Sequence, residues 1–404
     1  MDKIRSNGIV GQSGGPTSAI NATLSGVIRG SRGKLNKLYG MQNGIAGLLE
    51  GKIVELNPLF EDEEALSCLE LTPAAALGSC RFKLPKDLKS YVYEEIFKVF
   101  DKYEIGYFFY IGGNDSMDTV AKLSAYAKEK RIDVSIIGIP KTIDNDLVLT
   151  DHTPGYGSAA KYVATTVYEL ARDIAAYSQP SVTIVEVMGR EAGWIGCACA
   201  LSSHYFGKGA DLIYLPEMEF SVEGFLDDVR SLLCCKNNLL VCVSEGISLE
   251  NGDNTLDPFG HKQLAGVGKL LEVAVRKAIG CKVRSIELNL PQRCSGHLTS
   301  ATDITESVRI GKRAVEVALM GQSGKMVAFK RKAGEYAVEI DLVDATIVAN
   351  AIKHVPAEFI DNEHKTVTEK CIEYIAPLIM GETRVKYVMG LPHHFDLEGY
   401  LCTK

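Results

Sequence analysis

Short apolar runs alternate with longer stretches of helical period from one end of the chain to the other. Runs rich in Val, Ile, Leu and Phe read as strands at Gly8–Val10, Tyr107–Ile111, Val134–Ile139, Val182–Val187, Leu212–Leu215, Leu239–Val243, Val283–Leu288 and Met326–Phe329. Ala19–Arg29, Tyr91–Tyr103, Ser116–Glu129, Ala159–Tyr177, Val222–Leu233, Lys262–Ile279 and Asp303–Met320 have apolar residues three or four apart, the period of a helix with one buried face. The strand runs are continuous in Val and Ile rather than strictly alternating, which suits strands covered on both faces. Strand, Gly-bearing turn, helix, strand is the order of βαβ units, so the expected sheets are mostly parallel. Two three-layer αβα domains account for 404 residues, and the Gly/Pro-bearing stretch Asp151–Ser158 is the expected boundary between them. No short-period repeat, low-complexity tract or Pro-rich linker interrupts the pattern.

Composition changes the picture by exclusion. With 46% hydrophobic and 24% charged residues, the chain is neither disordered nor collagen-like, nor a small disulfide scaffold. Against 51 acidic residues stand 44 basic ones, a net charge of −7, which argues against general nucleic-acid binding. The same balance means that an anionic substrate must meet positive charge concentrated locally. Eleven cysteines without regular spacing, including Cys197-Ala-Cys199 and the adjacent pair Cys234-Cys235, read as reduced thiols rather than disulfides or a zinc site. The opening stretch MDKIRSNGIVGQSGG lacks the apolar core of a signal peptide, and no run approaches the ~18 apolar residues of a membrane span. A cytoplasmic protein with no membrane and no nucleic-acid partner is expected. His393-His394 followed by Asp396 reads as a solvated loop.

In open α/β sheets, ligands gather outside the carboxyl ends of the strands, and the polar motifs of this chain stand there. Gly11-Gln-Ser-Gly-Gly-Pro-Thr-Ser18 follows the first strand and precedes a helix. It fits a phosphate cradle, a plain turn, or a hydrolase nucleophile elbow with Ser13 as nucleophile. Gly112-Gly-Asn-Asp-Ser-Met117 opens another helix; its amide, carboxylate and hydroxyl suit hydrated magnesium with a phosphate, although Asp115 or Ser116 alone reads equally as a helix cap. Pro140-Lys-Thr-Ile-Asp-Asn-Asp146 packs a Lys, a Thr and two Asp into one turn, dense enough to deprotonate a hydroxyl beside a neutralised phosphate. Met188-Gly189-Arg190, Arg284 and Pro291-Gln-Arg293 add guanidinium groups after or within strands, as phosphate clamps do, and Ser244-Glu245-Gly246 follows another strand. Gly155-Tyr-Gly157-Ser-Ala-Ala160 follows no strand and is not a dinucleotide fingerprint, and no P-loop is present.

Taken in order, SGGPTSAIN, LGSCRF, IGGNDS, PKTIDND, VEVMGREAG, SEG and PQR resemble the phosphofructokinase superfamily over roughly residues 8–330, and within it the branch that uses pyrophosphate rather than ATP. The resemblance implies two domains with the active site in the cleft between them. Residues 1–157 plus about 292–345 would bind the donor, and 158–291 plus about 346–404 the sugar phosphate. It makes Asp144 the general base and Arg190 the group stabilising the transferring phosphoryl, with Thr142, Lys141 and Asp146 in the same loop. Gly14, Gly15, Arg81, Asp115 and Ser116 are matched to the donor. Met188, Gly189, Glu245, Arg284, Leu290 and Arg293 are matched to the sugar phosphate. Mg2+ is implied near Asn114 and Asp115, and a homodimer or homotetramer is expected.

ATP-using members have Gly at the positions of Asp115 and Lys141. A carboxylate at the first repels an α-phosphate, and an ammonium at the second serves a small polyanion. Three positions depart from the family pattern: Asn114 replaces an Asp, Leu290 a polar residue, and Ser181 an arginine that reaches a neighbouring subunit's substrate. The implied reaction is reversible phosphoryl transfer from pyrophosphate to the 1-hydroxyl of fructose 6-phosphate. An ATP-dependent kinase and a sedoheptulose 7-phosphate acceptor stay open within the family, and a Ser13 hydrolase or a catalytically silent regulatory homologue outside that reading. Arg81, Lys141, Arg190, Arg284 and Arg293 are expected to form a positive pocket inside an acidic shell.

Overall fold

A computed structural model describes residues 6–248, 266–349 and 351–397. In chain order the principal strands are β1 (Asn7–Gln12), β2 (Leu38–Met41), β3 (Ile53–Glu55), β4 (Ile105–Gly112), β5 (Ser135–Pro140), β6 (Ser181–Val187), β7 (Leu212–Tyr214), β8 (Asn238–Ser244), β9 (Lys282–Glu287), β10 (Lys325–Arg331) and β11 (Val338–Asp344). They form a seven-stranded sheet, β11-β10-β5-β4-β1-β2-β3, and a four-stranded sheet, β7-β8-β6-β9. The inner strands of the large sheet and all four of the small one run parallel; β3 and β11 close the large sheet as antiparallel edges. The α/β class with mostly parallel sheets is therefore as the periodicity predicts. Each of the eight strands read from the sequence is present, as is each of the seven helices, although the one expected over Ala159–Tyr177 ends at Ile174. The helix expected over Lys262–Ile279 runs Val267–Ala278 with Gly266 as its N-cap, and residues 262–265 lie outside the described residues.

Both sheets are covered on two faces, for the reason their strands are apolar throughout. On one face of the large sheet the helices Ile20–Ser31 and Ala301–Leu319 bury Leu24, Val27, Ile310 and Ala314 against Val10 and Ile137. On the other face Tyr91–Lys102 and Asn114–Lys130 bury Ile96, Phe100 and Val120 against Ile9 and Phe108. The first pair crosses backbone to backbone: a Cβ on Gly26 would stand 2.2 Å from the Val308 carbonyl oxygen, and one on Gly311 2.3 Å from that of Thr23. In the small sheet, Tyr156–Ile174 covers one face, and Val222–Leu233 with Val267–Ala278 covers the other.

The periodicity did not predict β2, β3 and β11. The first two have only four and three residues. The last, Val-Glu-Ile-Asp-Leu-Val-Asp, alternates apolar and acidic positions because an edge strand buries one face only. After β10 and β11 the chain passes over the small-sheet side, where Trp194 packs against Phe359 and Tyr374.

Candidate active site

The loops that leave β1, β4, β5, β6, β8 and β9 converge on one cavity of about 800 Å³. Ser13–Thr17, Gly113–Ser116 and Lys141–Asp146 reach it from the large sheet, and Met188–Ala192, Glu245 and Asn289–Arg293 from the small one. Parallel strands put their carboxyl ends on one edge, and two such edges face each other here.

Lys141, directly after β5, is buried, and its ammonium donates to the Gly15 carbonyl at 2.6 Å. Burial draws it down to about 8; Asp144 works against that fall, while Arg293 and Arg81 add to it. Gly14 has a φ of 77°, and a Cβ there would stand 3.3 Å from the same ammonium, so the turn closes directly over the lysine. The Gly14 N–H donates to the Cys80 carbonyl (3.2 Å), so Gly14 shapes this turn rather than offering a donor to a ligand. Arg293 lies against Gly15: a Cβ on that glycine would be 2.9 Å from the guanidinium.

Asp144 is bracketed by its own loop. Its N–H donates to Thr142 Oγ1 at 3.1 Å, and that hydroxyl lies 3.5 Å from the Asp144 carboxylate. Burial and the charge of Glu245 raise Asp144 above the usual carboxylate range, with Lys141 and Arg190 offsetting part of the rise. Asp146, two residues on, is pushed up to about 7 by burial and by Asp144. Arg190 and Met188 line the cavity; Gly189 does not, because its carbonyl accepts from Ser244 Oγ at 2.7 Å inside the loop packing.

The helix after β4 begins at Asn114, earlier than the apolar period suggests. Asp115 and Ser116 are thus inside its first turn, and no side chain caps it. The capping readings of these two residues fall, and both line the cavity. Asp115 stands 3.6 Å from Lys83. Asn114 Oδ1 is buried without a hydrogen-bond partner. A hard cation takes amide and carboxylate oxygens and keeps several waters, so an orphaned amide oxygen beside an exposed carboxylate fits magnesium.

Two expectations change. Arg284 does not reach this cavity; it lines a separate one of about 310 Å³ with Ser181, Thr183 and Lys282, because its position on β9 points it away from the cleft. Nor is the cavity a positive pocket. Its lining holds five basic residues and seven acidic ones. Charge is instead interleaved, with Asp144 beside both Lys141 and Arg190. Asp144 favours the charge of Lys141 while Arg293 and Arg81 disfavour it, and Glu245 feels Arg190 on one hand and Glu186 on the other. The Ser13 elbow also fails, since no histidine is among the described lining residues and Ser13 Oγ donates to the Cys80 carbonyl at 3.4 Å.

Sequence reasoning missed Gln292, whose Oε1 accepts from the Met188 N–H at 3.1 Å, and Glu186 and Glu287 at the ends of β6 and β9. A Glu closing a run such as Ser-Val-Thr-Ile-Val-Glu-Val is a detectable signal, because apolar strands rarely bury a carboxylate without use for it. Lys83, Ala351 and Ile352 had no such signal.

The phosphofructokinase family profile matches residues 7–318. The chain is 39% identical to the pyrophosphate–fructose 6-phosphate 1-phosphotransferase of Halomonas elongata, covering 96% of this chain and 94% of that one. It is 38% identical to the protein of the same description from Methylococcus capsulatus, with 97% and 96% covered. Among solved structures it is similar to the pyrophosphate-dependent phosphofructokinase of Nitrosospira multiformis, with a TM-score of 0.88, 35% identity and coverage of 97% and 96%.

Proposed function

The chain belongs to the phosphofructokinase family, and on that premise we propose that it moves a phosphoryl group reversibly between inorganic pyrophosphate and the 1-hydroxyl of fructose 6-phosphate. The observation that carries this reading is the Lys141–Asp146 loop, which presents an ammonium and a carboxylate to one cavity between the Gly14-Gly15 turn and Arg190. Phosphoryl transfer asks mainly for in-line positioning and charge stabilisation.

In the forward direction Asp144 accepts the proton of the sugar hydroxyl as the oxygen attacks. Arg190 and Lys141 hold the equatorial oxygens of the moving group, and Arg81 orients the leaving phosphate. Arg293, with Met188 and Glu245, orients the sugar phosphate. Asn114 and Asp115 would hold Mg2+, which when bound screens the charge of the two phosphates. Part of the substrate-binding charge is thus supplied from outside the protein, in keeping with a lining richer in acid than base.

The division into a donor part (1–157 with about 292–345) and a sugar part (158–291 with about 346–404) belongs to the same reading. A homodimer or homotetramer gives Arg284 a role: from its separate cavity it would serve the sugar phosphate of a second copy. Leu290, half exposed and apolar on the cavity wall, favours tolerance of a longer acceptor such as sedoheptulose 7-phosphate.

The test is a steady-state assay of pyrophosphate and of ATP, each against fructose 6-phosphate and sedoheptulose 7-phosphate, with and without EDTA. Turnover with pyrophosphate and fructose 6-phosphate that chelation abolishes is expected; turnover with ATP alone overturns the donor.

The ionisations predict the pH profile. Asp144 must be ionised, so kcat/KM rises with pH through its raised value, above the ordinary 3.8. Lys141 must be charged, so kcat/KM falls as pH passes about 8. Bound pyrophosphate favours the ammonium, so the alkaline limb of kcat lies above that of kcat/KM. Profiles that superimpose, or a kcat/KM level from about pH 7 to about pH 9.5, contradict the role of Lys141.

A further inference from the structure

The loop that bears Asp144 leaves β5 and rejoins regular structure only at the helix beginning with Tyr156. A stretch of that length needs outside partners to keep one geometry. Its near side is held from within: Thr142 N–H donates to the Pro154 carbonyl (3.3 Å), and Thr153 Oγ1 donates to the Thr142 carbonyl (2.8 Å).

The far side is held by another part of the chain. Asn145, beside Asp144, is fully buried and has a φ of 53°, a left-handed conformation that a non-glycine keeps only when its surroundings enforce it. Its Nδ2 donates to the Tyr374 hydroxyl at 2.9 Å, and its Oδ1 accepts from Lys353 Nζ at 3.1 Å. The Lys353 ammonium also donates to the carbonyls of Thr150 (3.3 Å) and Asp151 (2.7 Å), so its three protons face three acceptors of one loop. The Lys353 N–H donates to the Asp146 carbonyl at 2.7 Å. Tyr374 completes the junction by donating to the Asp151 carbonyl at 2.5 Å. Lys353 is itself anchored, since Trp194 Nε1 donates to its carbonyl at 2.8 Å and its ammonium lies 5.0 Å from the indole centroid.

We propose that Lys353 is a positioning residue for phosphoryl transfer, tying the segment around residues 351–355 to the far side of the Asp144 loop so that the carboxylate stays aimed at the acceptor hydroxyl. The inference rests on Asp144 being the base. Lys353 is not among the cavity's lining residues, but its neighbours Ala351 and Ile352 are, so one segment is both wall and tie. Burial draws the ammonium down to about 7, with Asp151 and Asp146 working against that, and the three acceptors compensate its desolvation. An apolar side chain of similar length leaves those acceptors unpaired and the loop free to shift. A shift of about 1 Å at a reacting group costs on the order of 10²-fold in rate.

The experiment compares full-length Lys353→Met, Lys353→Arg, Tyr374→Phe and Asp144→Ala with wild type in turnover, both KM values, thermal midpoint and the emission of Trp194. That residue is the chain's single tryptophan and is 2% exposed, so an emission maximum that stays that of a buried indole reports a seat still closed to water, whatever change in intensity follows loss of the cation 5.0 Å away. Lys353→Met is expected to lose about 10- to 100-fold in kcat with both KM values within about threefold of wild type and the emission maximum still that of a buried indole. Lys353→Arg should recover part of the loss, and Tyr374→Phe should fall between it and wild type.

Lys353→Met turnover within about threefold of wild type overturns the proposal, as does a loss of kcat matched by an equal loss of folded protein. If Lys353→Met does not fold, Tyr374→Phe decides: lowered kcat with KM held supports the tie, and wild-type turnover rejects it. With Asp144→Ala inactive and Lys353→Met normal, only the positioning role falls. An active Asp144→Ala removes the base itself.

Discussion

Asp144→Ala lowers kcat by about 10²- to 10⁴-fold, the usual contribution of a general base, while KM for fructose 6-phosphate stays within about threefold of wild type. In free energy that is roughly 3–5 kcal/mol of transition-state stabilisation, at 1.36 kcal/mol per factor of ten. The expectation follows from placement. The carboxylate sits in the cavity between Lys141 and Arg190, and its loop is held by Thr142 on one side and by Asn145, through Lys353 and Tyr374, on the other. Alanine removes the proton acceptor and leaves that frame standing. Asp146 is no substitute for position: it stands two residues further along the loop, where Lys353 N–H holds its backbone carbonyl. Rates are to be read at saturating donor with the thermal midpoint checked; turnover near wild type would remove Asp144 from the mechanism.

The second large effect is on donor choice. Asp115→Gly combined with Lys141→Gly should lower kcat/KM for pyrophosphate by about 10²-fold or more, since a charge-assisted contact contributes on the order of 1.5–3 kcal/mol, and should make ATP turnover measurable. Lys141 is the buried ammonium under the Gly14-Gly15 turn, so its loss leaves the Gly15 carbonyl without its donor and the phosphate without a countercharge. Asp115, paired at 3.6 Å with Lys83, narrows the mouth of the site and repels the negative charge of a nucleotide's α-phosphate. Removing the carboxylate also frees Lys83 to meet that phosphate. The measure is the ratio of kcat/KM values for the two donors in wild type, both single variants and the double variant. An unchanged ratio in the double variant would rule out these two positions as the selector.

Much of the fold is legible in the sequence because burial on both faces writes itself into composition. Strands such as Val182–Val187 and helices such as Val222–Leu233 need an unbroken apolar run or an apolar stripe, and neither depends on what lies far away in sequence. The short strands Leu38–Met41 and Ile53–Glu55 were not legible, because their partners rather than their residues make them strands. The site divides in the same way. Lys141, Thr142, Asp144 and Asp146 share one turn, so their joint presence was readable. The start of the helix at Asn114 was not, since a helix without a side-chain cap carries no cap signature in sequence.

By itself the sequence determined the class of fold, the strand-end loops that bear chemistry, and the residue types a phosphoryl-transfer site requires. All of these follow from local pattern. Only the tertiary structure decided how charge is arranged among them. A tally of arginines near strands pointed to a positive pocket inside a chain of net charge −7; the cavity instead has more acids than bases, with the two signs interleaved. It also decided that Arg284 belongs to another cavity and that Lys353, 209 positions beyond Asp144 and without a motif of its own, hydrogen-bonds the loop that carries Asp144. The physical reason is that electrostatics and hydrogen bonding act over a few ångströms of space, and chain folding brings together residues whose separation in sequence carries no trace of that proximity.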